Sequence, residues 1–321
     1  MESNEIISPL PKELLESELT EDKFVRKTNY GGNSLYIFTH NDSPNLMREV
    51  GRLRELTFRY AGGGTGAILD IDEFDTSDDP YHQLIVWDPQ HCEILGGYRF
   101  YIPRKTDDGN AIAKKLSTSH LFNFSDRFKE LYMPYMIELG RSFVQPAYQS
   151  TNRARKGIYA LDNLWDGLGA IMVHNPEMKY FFGKITMYTH FNKDARALIL
   201  HFLKRQFGDS EKLVSPIEPL EITWNETELD AVFNEKDYHE NYKLLSKKVR
   251  SHHENIPPLF NSYMNLSPSM KTFGTAINRE FGGVEETGIL ITIADLYQAK
   301  VERHVSTYKR VRYFLKKDKL F

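Results

Sequence analysis

Short apolar stretches with strand character alternate with longer stretches at helical spacing through the first two thirds of the chain. Residues 34–39 (Ser-Leu-Tyr-Ile-Phe-Thr) have strand composition. Ser43-Pro44 then offers a hydroxyl at the N-cap and a proline at the first helical position. Leu46, Val50, Leu53, Thr57 and Tyr60 follow at helical spacing, with Arg54 and Phe58 beside the stripe, and predict a helix to about Tyr60. Residues 83–87 and 94–102 read as strands joined by a turn around Pro89, an antiparallel hairpin with Arg99 in an apolar setting. Residues 136–144 read as another strand, stopped by Pro146. Ile158, Leu161, Leu164, Trp165, Leu168, Ile171 and Met172 mark an amphipathic helix ended by Asn175-Pro176. A strand over 180–187 follows, and Asn192 opens a helix that stops at Gly208. Strands alternating with helices mean α/β.

Around this pattern the chain is less regular. Residues 11–20 suggest a short helix before a Gly-Gly turn, and 103–135 a polar loop with a short apolar segment. From about residue 209 the texture changes: prolines cluster, a charged helical region spans 226–250, Ile256-Pro-Pro opens a short apolar helix, and 288–294 is a last strand candidate. The expected organisation is an N-terminal segment over 1–33, a core over 34–208 and a mainly helical extension over 209–321 that packs on it. Gly62, Gly63, Gly64 and Gly66 lack the Gly-Lys-Ser/Thr ending of a phosphate loop and follow no strand, so 61–66 reads as a flexible loop. In the acidic run from Asp70, the fifth and sixth positions of a calcium loop are Phe74 and Asp75, which fails that reading.

The chemistry concentrates in Glu138 and Arg141. Side chains three apart on a regular strand point to opposite faces. Two charges on a half-buried strand are costly unless each finds a partner, or unless a bulge near Gly140 swings both toward one pocket. The 40% hydrophobic content indicates a real core, and the net charge of −3 gives no nucleic-acid-type positive excess. A single cysteine, Cys92, excludes an internal disulfide framework and fits a reducing compartment. The acidic first residues lack the basic start of a signal peptide, and no run approaches a membrane span, so the expected location is cytoplasmic. His239, His252 and His253 lack metal-ligand spacing, and no metal is expected. His82 reads as a core histidine orienting its strand.

Taken together, the motifs resemble a known family. They are Leu53-Arg-x-x-x-Phe58, then Asp70-x-Asp72-x-Phe74-Asp75, His82-x-Leu84, Gly96-x-Tyr98-Arg99 and Glu138-Leu-Gly-Arg141-Ser142-x-Val144. A basic turn, a Trp-bearing helix, Tyr180-Phe-Phe-Gly183 and the tail motifs Ile256-Pro-Pro-Leu-Phe and Ala276-Ile-Asn-Arg-Glu-Phe281 complete the set. Their order is similar to that of GNAT-fold N-acyltransferases using acyl carrier protein thioesters, in the branch that makes N-acylated amino acids for ornithine and glycine lipids. Acyl-homoserine-lactone synthases are more distantly similar. The resemblance covers roughly residues 34 to 295. It implies a mixed central sheet flanked by helices.

The same resemblance implies transfer of a fatty or 3-hydroxyfatty acyl group from an acyl carrier protein to the α-amine of glycine or ornithine. An ammonium cannot attack a thioester until a base takes its proton. Glu138 is the candidate. Thiolate leaves readily, so no enzyme nucleophile is required and Cys92 is no reagent. The resemblance places an oxyanion donor among the backbone N–H groups of Ser142 to Val144. It places the phosphopantetheine phosphate at Arg153, Arg155, Lys156 and Gly157, ahead of the Trp-bearing helix. Asp70, Asp72 and Asp75 with Arg54, Arg99 and Arg141 make a charge network that either holds the acceptor's amine and carboxylate, Arg99 or Arg54 suiting the carboxylate, or serves only to fix the acidic loop on the sheet. No bound cofactor is expected. An acidic acyl carrier protein would dock on the basic turn and Lys204-Arg205. The basic and aromatic residues from Lys309 to Phe321 suggest peripheral contact with the inner membrane face. A catalytically silent acyl-carrier- or lipid-binding protein and a homoserine-lactone-type synthase are the competing classes.

Overall fold

The computed structural model describes residues 4–149, 159–221, 224–235 and 237–309. In chain order its strands are β1 (Phe24–Lys27), β2 (Ser34–Phe38), β3 (His82–Asp88), β4 (Glu93–Tyr101) and β5 (Phe122–Phe124). They continue with β6 (Met136–Val144), β7 (Tyr180–Met187), β8 (Val214–Pro216), β9 (Lys271–Asn278) and β10 (Val284–Thr292). Two compact units are present. The first gathers the described residues of Met1–Pro103, Tyr135–Lys179 and Leu296–Phe321; the second gathers those of Arg104–Pro134 and Tyr180–Asp295.

In the first unit, β1, β2, β3, β4 and β6 pair antiparallel in that order. Helix α1 (Pro44–Tyr60) buries Leu46, Val50, Leu53 and Phe58, each worth about 1.5–3 kcal/mol relative to exposure. Its start differs from expectation. The Ser43 hydroxyl bonds Asp42 instead of capping, and the Glu18 carboxylate accepts from the N–H groups of Asn45 (3.1 Å) and Leu46 (2.8 Å). A carboxylate there also opposes the helix dipole. A one-turn helix, α2 (Glu73–Thr76), carries the acidic motif. Helix α3 (Ala160–His174) packs against β3 and β4. Tyr98 on β4 donates its hydroxyl proton to the Leu164 carbonyl (3.4 Å).

The Gly-rich segment is not a loose loop. The buried Glu55 carboxylate accepts from Thr65 N (3.0 Å), Thr65 Oγ1 (2.8 Å) and Gly66 N (2.8 Å). An acid from α1 thus occupies the donor set that a phosphate would need, and Glu55 is held below its ordinary range because these bonds and Arg59 outweigh its burial.

In the second unit, β7, β10 and β9 pair antiparallel in that order, and β5 pairs with β8. Helix α4 (Lys193–Phe207) opens on Asn192, whose side chain accepts from Asp194 N (3.0 Å) and Ala195 N (3.1 Å), as its sequence predicts. The predicted polar loop over 103–135 instead holds two short helices (Gly109–Lys115 and Asp126–Leu131) and β5. Strand β9 was not predicted, because Gly274 interrupts its alternation at a bulge. The α/β class holds, and the chain beyond residue 209 adds helices over Glu226–Val232, Tyr238–Ser251 and Pro258–Met264. No helix among the described residues is long and apolar enough to cross a membrane.

Candidate active site

The site is built where β4 meets β6. Gly97 pairs with Phe143 and Arg99 with Gly140, so Arg141 and Ser142 together face Tyr98 alone. This is a β-bulge, and Arg141 takes φ +52° to make it, a conformation that costs a side-chain-bearing residue about 1–3 kcal/mol. The bulge changes the direction of Arg141, so that it and Glu138 reach one connected cluster instead of opposite faces.

Gly96 permits this geometry. A Cβ there would overlap the Phe143 carbonyl oxygen. Gly96→Ala is therefore expected to destabilise the first unit by about 1–3 kcal/mol, the usual range for overpacking, and to lower activity more than Lys105→Ala, a substitution at an exposed turn. Thermal unfolding and turnover measured side by side check this.

Glu138 is fully buried and stands opposite Tyr101 in the register. The buried Tyr81 donates its hydroxyl proton to Glu138 Oε2. Tyr81 stacks on Tyr101 (5.3 Å between centroids) and meets Phe74 edge-on (5.8 Å). The Arg99 guanidinium lies over the Tyr81 ring at 5.0 Å and the Phe74 ring at 5.6 Å, cation–π contacts that link the carboxylate side of the cluster to its arginines.

From Arg99 the ion pairs continue. Arg99 donates to Asp72 (2.6 Å) and Asp75 (3.0 Å), and Arg54 donates to Asp75 (3.0 Å). Arg141 Nε donates to Asp70 (2.9 Å), and its NH2 group lies 3.6 Å from Asp72. Gln83 joins the centre: its amide donates to Asp75 (2.9 Å) and its carbonyl accepts from Arg54. Asp72 and Asp75 also form the capping box of α2. Burial alone would raise the Asp75 carboxyl; Arg54 and Arg99 outweigh it and hold the group well below the usual carboxylate range. Burial likewise opposes the charge on Arg99, and Asp75 and Asp72 more than restore it.

The three acids and three arginines expected from the motifs thus form one network, and Glu138 joins it through Tyr81. It is graded in access. Arg54, Asp75 and Arg99 are sealed, whereas the side chains of Asp72 and Arg141 keep 29% and 14% exposure. Asp72 and Arg141 are the members through which the network meets solvent.

Ser142 sits in the bulge, and Val144 pairs with Gly96. Arg153, Arg155, Lys156 and Gly157 lie outside the described residues, as does the tail from Arg310 to Phe321. His82 does not join the site. It pairs with Phe100, one residue off the Gln83–Arg99 pair, so it faces the other side of the sheet, where it is exposed and stacks on Phe100 at 5.2 Å. The core-histidine reading is corrected by this. Cys92 lies in the β3–β4 turn, and the Glu16 carboxylate at 3.0 Å pushes its thiol up, away from the reactive thiolate. Lys204 and Arg205 are paired with Glu226 (2.6 Å) and Asp230 (2.9 Å). Among the described residues, no group of three or more His, Cys, Asp or Glu is placed to hold a metal ion.

Sequence reasoning missed Tyr81 and Gln83. Gln83 had a usable signal, a polar side chain in an otherwise apolar strand on the same face as Arg99.

Residues 53–156 match the family model of the acetyltransferase (GNAT) domain. Over 304 residues the chain is 54% identical to a glycine N(alpha)-acyltransferase of Bacteroides thetaiotaomicron, covering 95% of this chain and 90% of that protein. It is 51% identical to a glycine N(alpha)-acyltransferase of Phocaeicola vulgatus, covering 95% and 93%. No solved structure matches the chain.

Proposed function

Since the chain belongs to this family of GNAT-domain amino-acid N-acyltransferases, we propose that it transfers a fatty acyl group from an acyl carrier protein thioester to the α-amine of glycine. The observation that carries the reading is the buried Glu138 carboxylate held by Tyr81 inside a charge network that opens to solvent at Asp72 and Arg141.

Glycine arrives as a zwitterion. Asp72 attracts its ammonium and Arg141 its carboxylate, the two partly exposed members of opposite sign; Arg54 and Arg99, expected to suit the carboxylate, are sealed inside the network. Glu138 takes the ammonium proton, directly or through one water, and the freed lone pair attacks the thioester carbon. A C–N bond forms and the charge passes through the carbonyl oxygen; the nitrogen gives its second proton to the departing sulfur as the C–S bond breaks, so pantetheine leaves as the thiol and Glu138 returns its proton to solvent. Backbone N–H groups of the Ser142–Val144 segment are the proposed oxyanion donors. Arg153, Arg155, Lys156 and Gly157 are the proposed phosphate site of the donor, and no resident cofactor takes part. Glycine is preferred to ornithine because the relatives' names specify it. A 3-hydroxylated donor, and peripheral membrane contact by the tail that carries the amphiphilic product onward, belong to the same proposal.

The test is incubation of the full chain with palmitoyl and 3-hydroxypalmitoyl acyl carrier protein and single amino acids, followed by mass spectrometry. N-acylglycine is expected. Absence of an N-acyl product with every amine would favour a silent acyl-carrier-binding protein, and a lactone product would favour the signal-synthase class.

Asp72→Asn tests the acceptor part. Asparagine still caps α2, so thermal stability should change little, by about 1 kcal/mol or less for a partly exposed ion pair. KM for glycine is expected to rise about tenfold, the equivalent of one modest charge-assisted bond. Unchanged KM and turnover would remove Asp72 from acceptor binding.

A further inference from the structure

Gly51 sits in the middle of α1, where glycine is the least favoured residue apart from proline. Its place there has a packing reason. A Cβ on Gly51 would lie 2.6 Å from Ile71 Cγ1 and 2.9 Å from Ile71 Cδ1, about 1 Å inside ordinary van der Waals contact. Ile71 therefore rests on the helix backbone itself, closer than any side chain at position 51 would allow.

The chain around Ile71 is drawn to the helix with it. Asp70 N donates to the Gly51 carbonyl at 3.0 Å, and Arg54 donates to the Asp70 carbonyl at 3.5 Å. The neighbours of Ile71 on either side are the two acids that meet Arg141, Asp70 at 2.9 Å from Nε and Asp72 at 3.6 Å from the NH2 group. Asp72 is extended (φ −122°, ψ −178°), so its side chain leaves the backbone on the side away from Ile71. The depth at which Ile71 seats on α1 thus sets how far the two acids stand from Arg141.

Little else can absorb a change at this seat. Isoleucine is branched at Cβ and stiff at χ1, so a push on it passes to the backbone. On the N-terminal side, Glu55 and Arg59 of the same helix hold Thr65, Gly66 and Ala67. On the C-terminal side, Asp72 and Asp75 close the capping box of α2.

We infer that Gly51 and Ile71 form a seat that positions Asp72 against Arg141, and through this pair the glycine acceptor. Neither residue touches the reacting atoms; both are positioning residues. The inference rests on the acceptor role proposed for Asp72 and Arg141.

The test is steady-state kinetics of the full chain with palmitoyl acyl carrier protein and glycine, alongside thermal unfolding. Gly51→Ala is expected to raise KM for glycine about tenfold, within the roughly 10²-fold that a 1 Å misplacement can cost, while KM for the acyl donor stays within about twofold. Its thermal transition should stay within about 4 °C, because alanine favours the helix and offsets the strain at Ile71. Ile71→Ala removes both atoms that the new methyl would meet. Added to Gly51→Ala, it should return KM for glycine to within about threefold of the unsubstituted protein, a coupling that a general loss of stability does not produce. Ile71→Ala alone inserts no methyl and serves if Gly51→Ala does not fold; it should raise KM for glycine about two- to fivefold by loosening the seat. Unchanged KM for glycine in the folded single variants, an equal rise in both KM values, or a double variant no better than Gly51→Ala overturns the inference. Asp72→Asn separates this from the acceptor role. If it raises KM for glycine and Gly51→Ala does not, the seat alone falls; if it leaves KM unchanged, the acceptor role falls and the seat falls with it.

Discussion

Glu138→Gln is expected to lower kcat/KM for glycine by about 10²–10⁴-fold, the range that a positioned base contributes. Glutamine is nearly isosteric and its carbonyl can still accept the Tyr81 hydroxyl, so the fold and the Tyr81–Tyr101 stack should persist. What disappears is the ability to take a proton. Attack then depends on the small fraction of glycine that carries a free amine in solution. That fraction grows about tenfold per pH unit below the amine's own pKa, so the residual activity of the variant should climb with pH more steeply than that of the unsubstituted enzyme. Stopped assays across pH at subsaturating glycine give both slopes. Equal slopes with undiminished turnover would show that Glu138 is a structural carboxylate. Tyr81→Phe separates the base from its support: losing one hydrogen bond to a charged group is expected to reduce kcat/KM by about 10–100-fold while leaving the pH slope of the unsubstituted enzyme.

Much of this arrangement can be read from residue patterns, for a physical reason. Charges embedded in apolar strands are visible locally, and Arg99, Glu138 and Arg141 each break an otherwise apolar run. The three-residue spacing of Glu138 and Arg141 even anticipates the bulge, because no regular strand could bring them to one cluster. What stays hidden depends on partners far along the chain. Glu55 lies in the middle of α1, and nothing nearby says that it will organise Thr65 and Gly66. Lys204 and Arg205 look like an exposed basic pair until acids 22 and 25 residues later close on them. Tyr81 ends an acidic loop, and only the folded first unit aims its hydroxyl at a carboxylate 57 residues on. Strand β9 fails for a local reason: its bulge at Gly274 breaks the period-two pattern on which strand recognition rests.

Asp75→Asn is expected to have the largest effect on stability. The carboxylate is fully buried and accepts from Arg54, Arg99, Gln83 and the Asp72 N–H, so it is the anion around which two sealed guanidinium groups are packed. Removing one partner from a buried ion pair typically costs about 3–5 kcal/mol, because the remaining charge has lost both water and counter-ion. Arg54→Met added to Asp75→Asn should recover part of that loss by removing one stranded charge. The sign of the pH dependence follows from linkage. Asp75 is held below its unfolded value of about 3.9, so its contribution is complete above that pH and is lost as pH falls toward the depressed folded value. The unsubstituted protein should therefore lose stability more steeply than Asp75→Asn on acidification below about pH 4. Hydrogen exchange resolves the effect by location. Amides of β3, β4 and β6 should lose protection in Asp75→Asn, whereas those of β9 and β10, strands of the second unit, should keep theirs. If protection in β4 and β6 is unchanged, the network does not hold the bulge, and the geometry that presents Glu138 must be maintained by strand pairing alone.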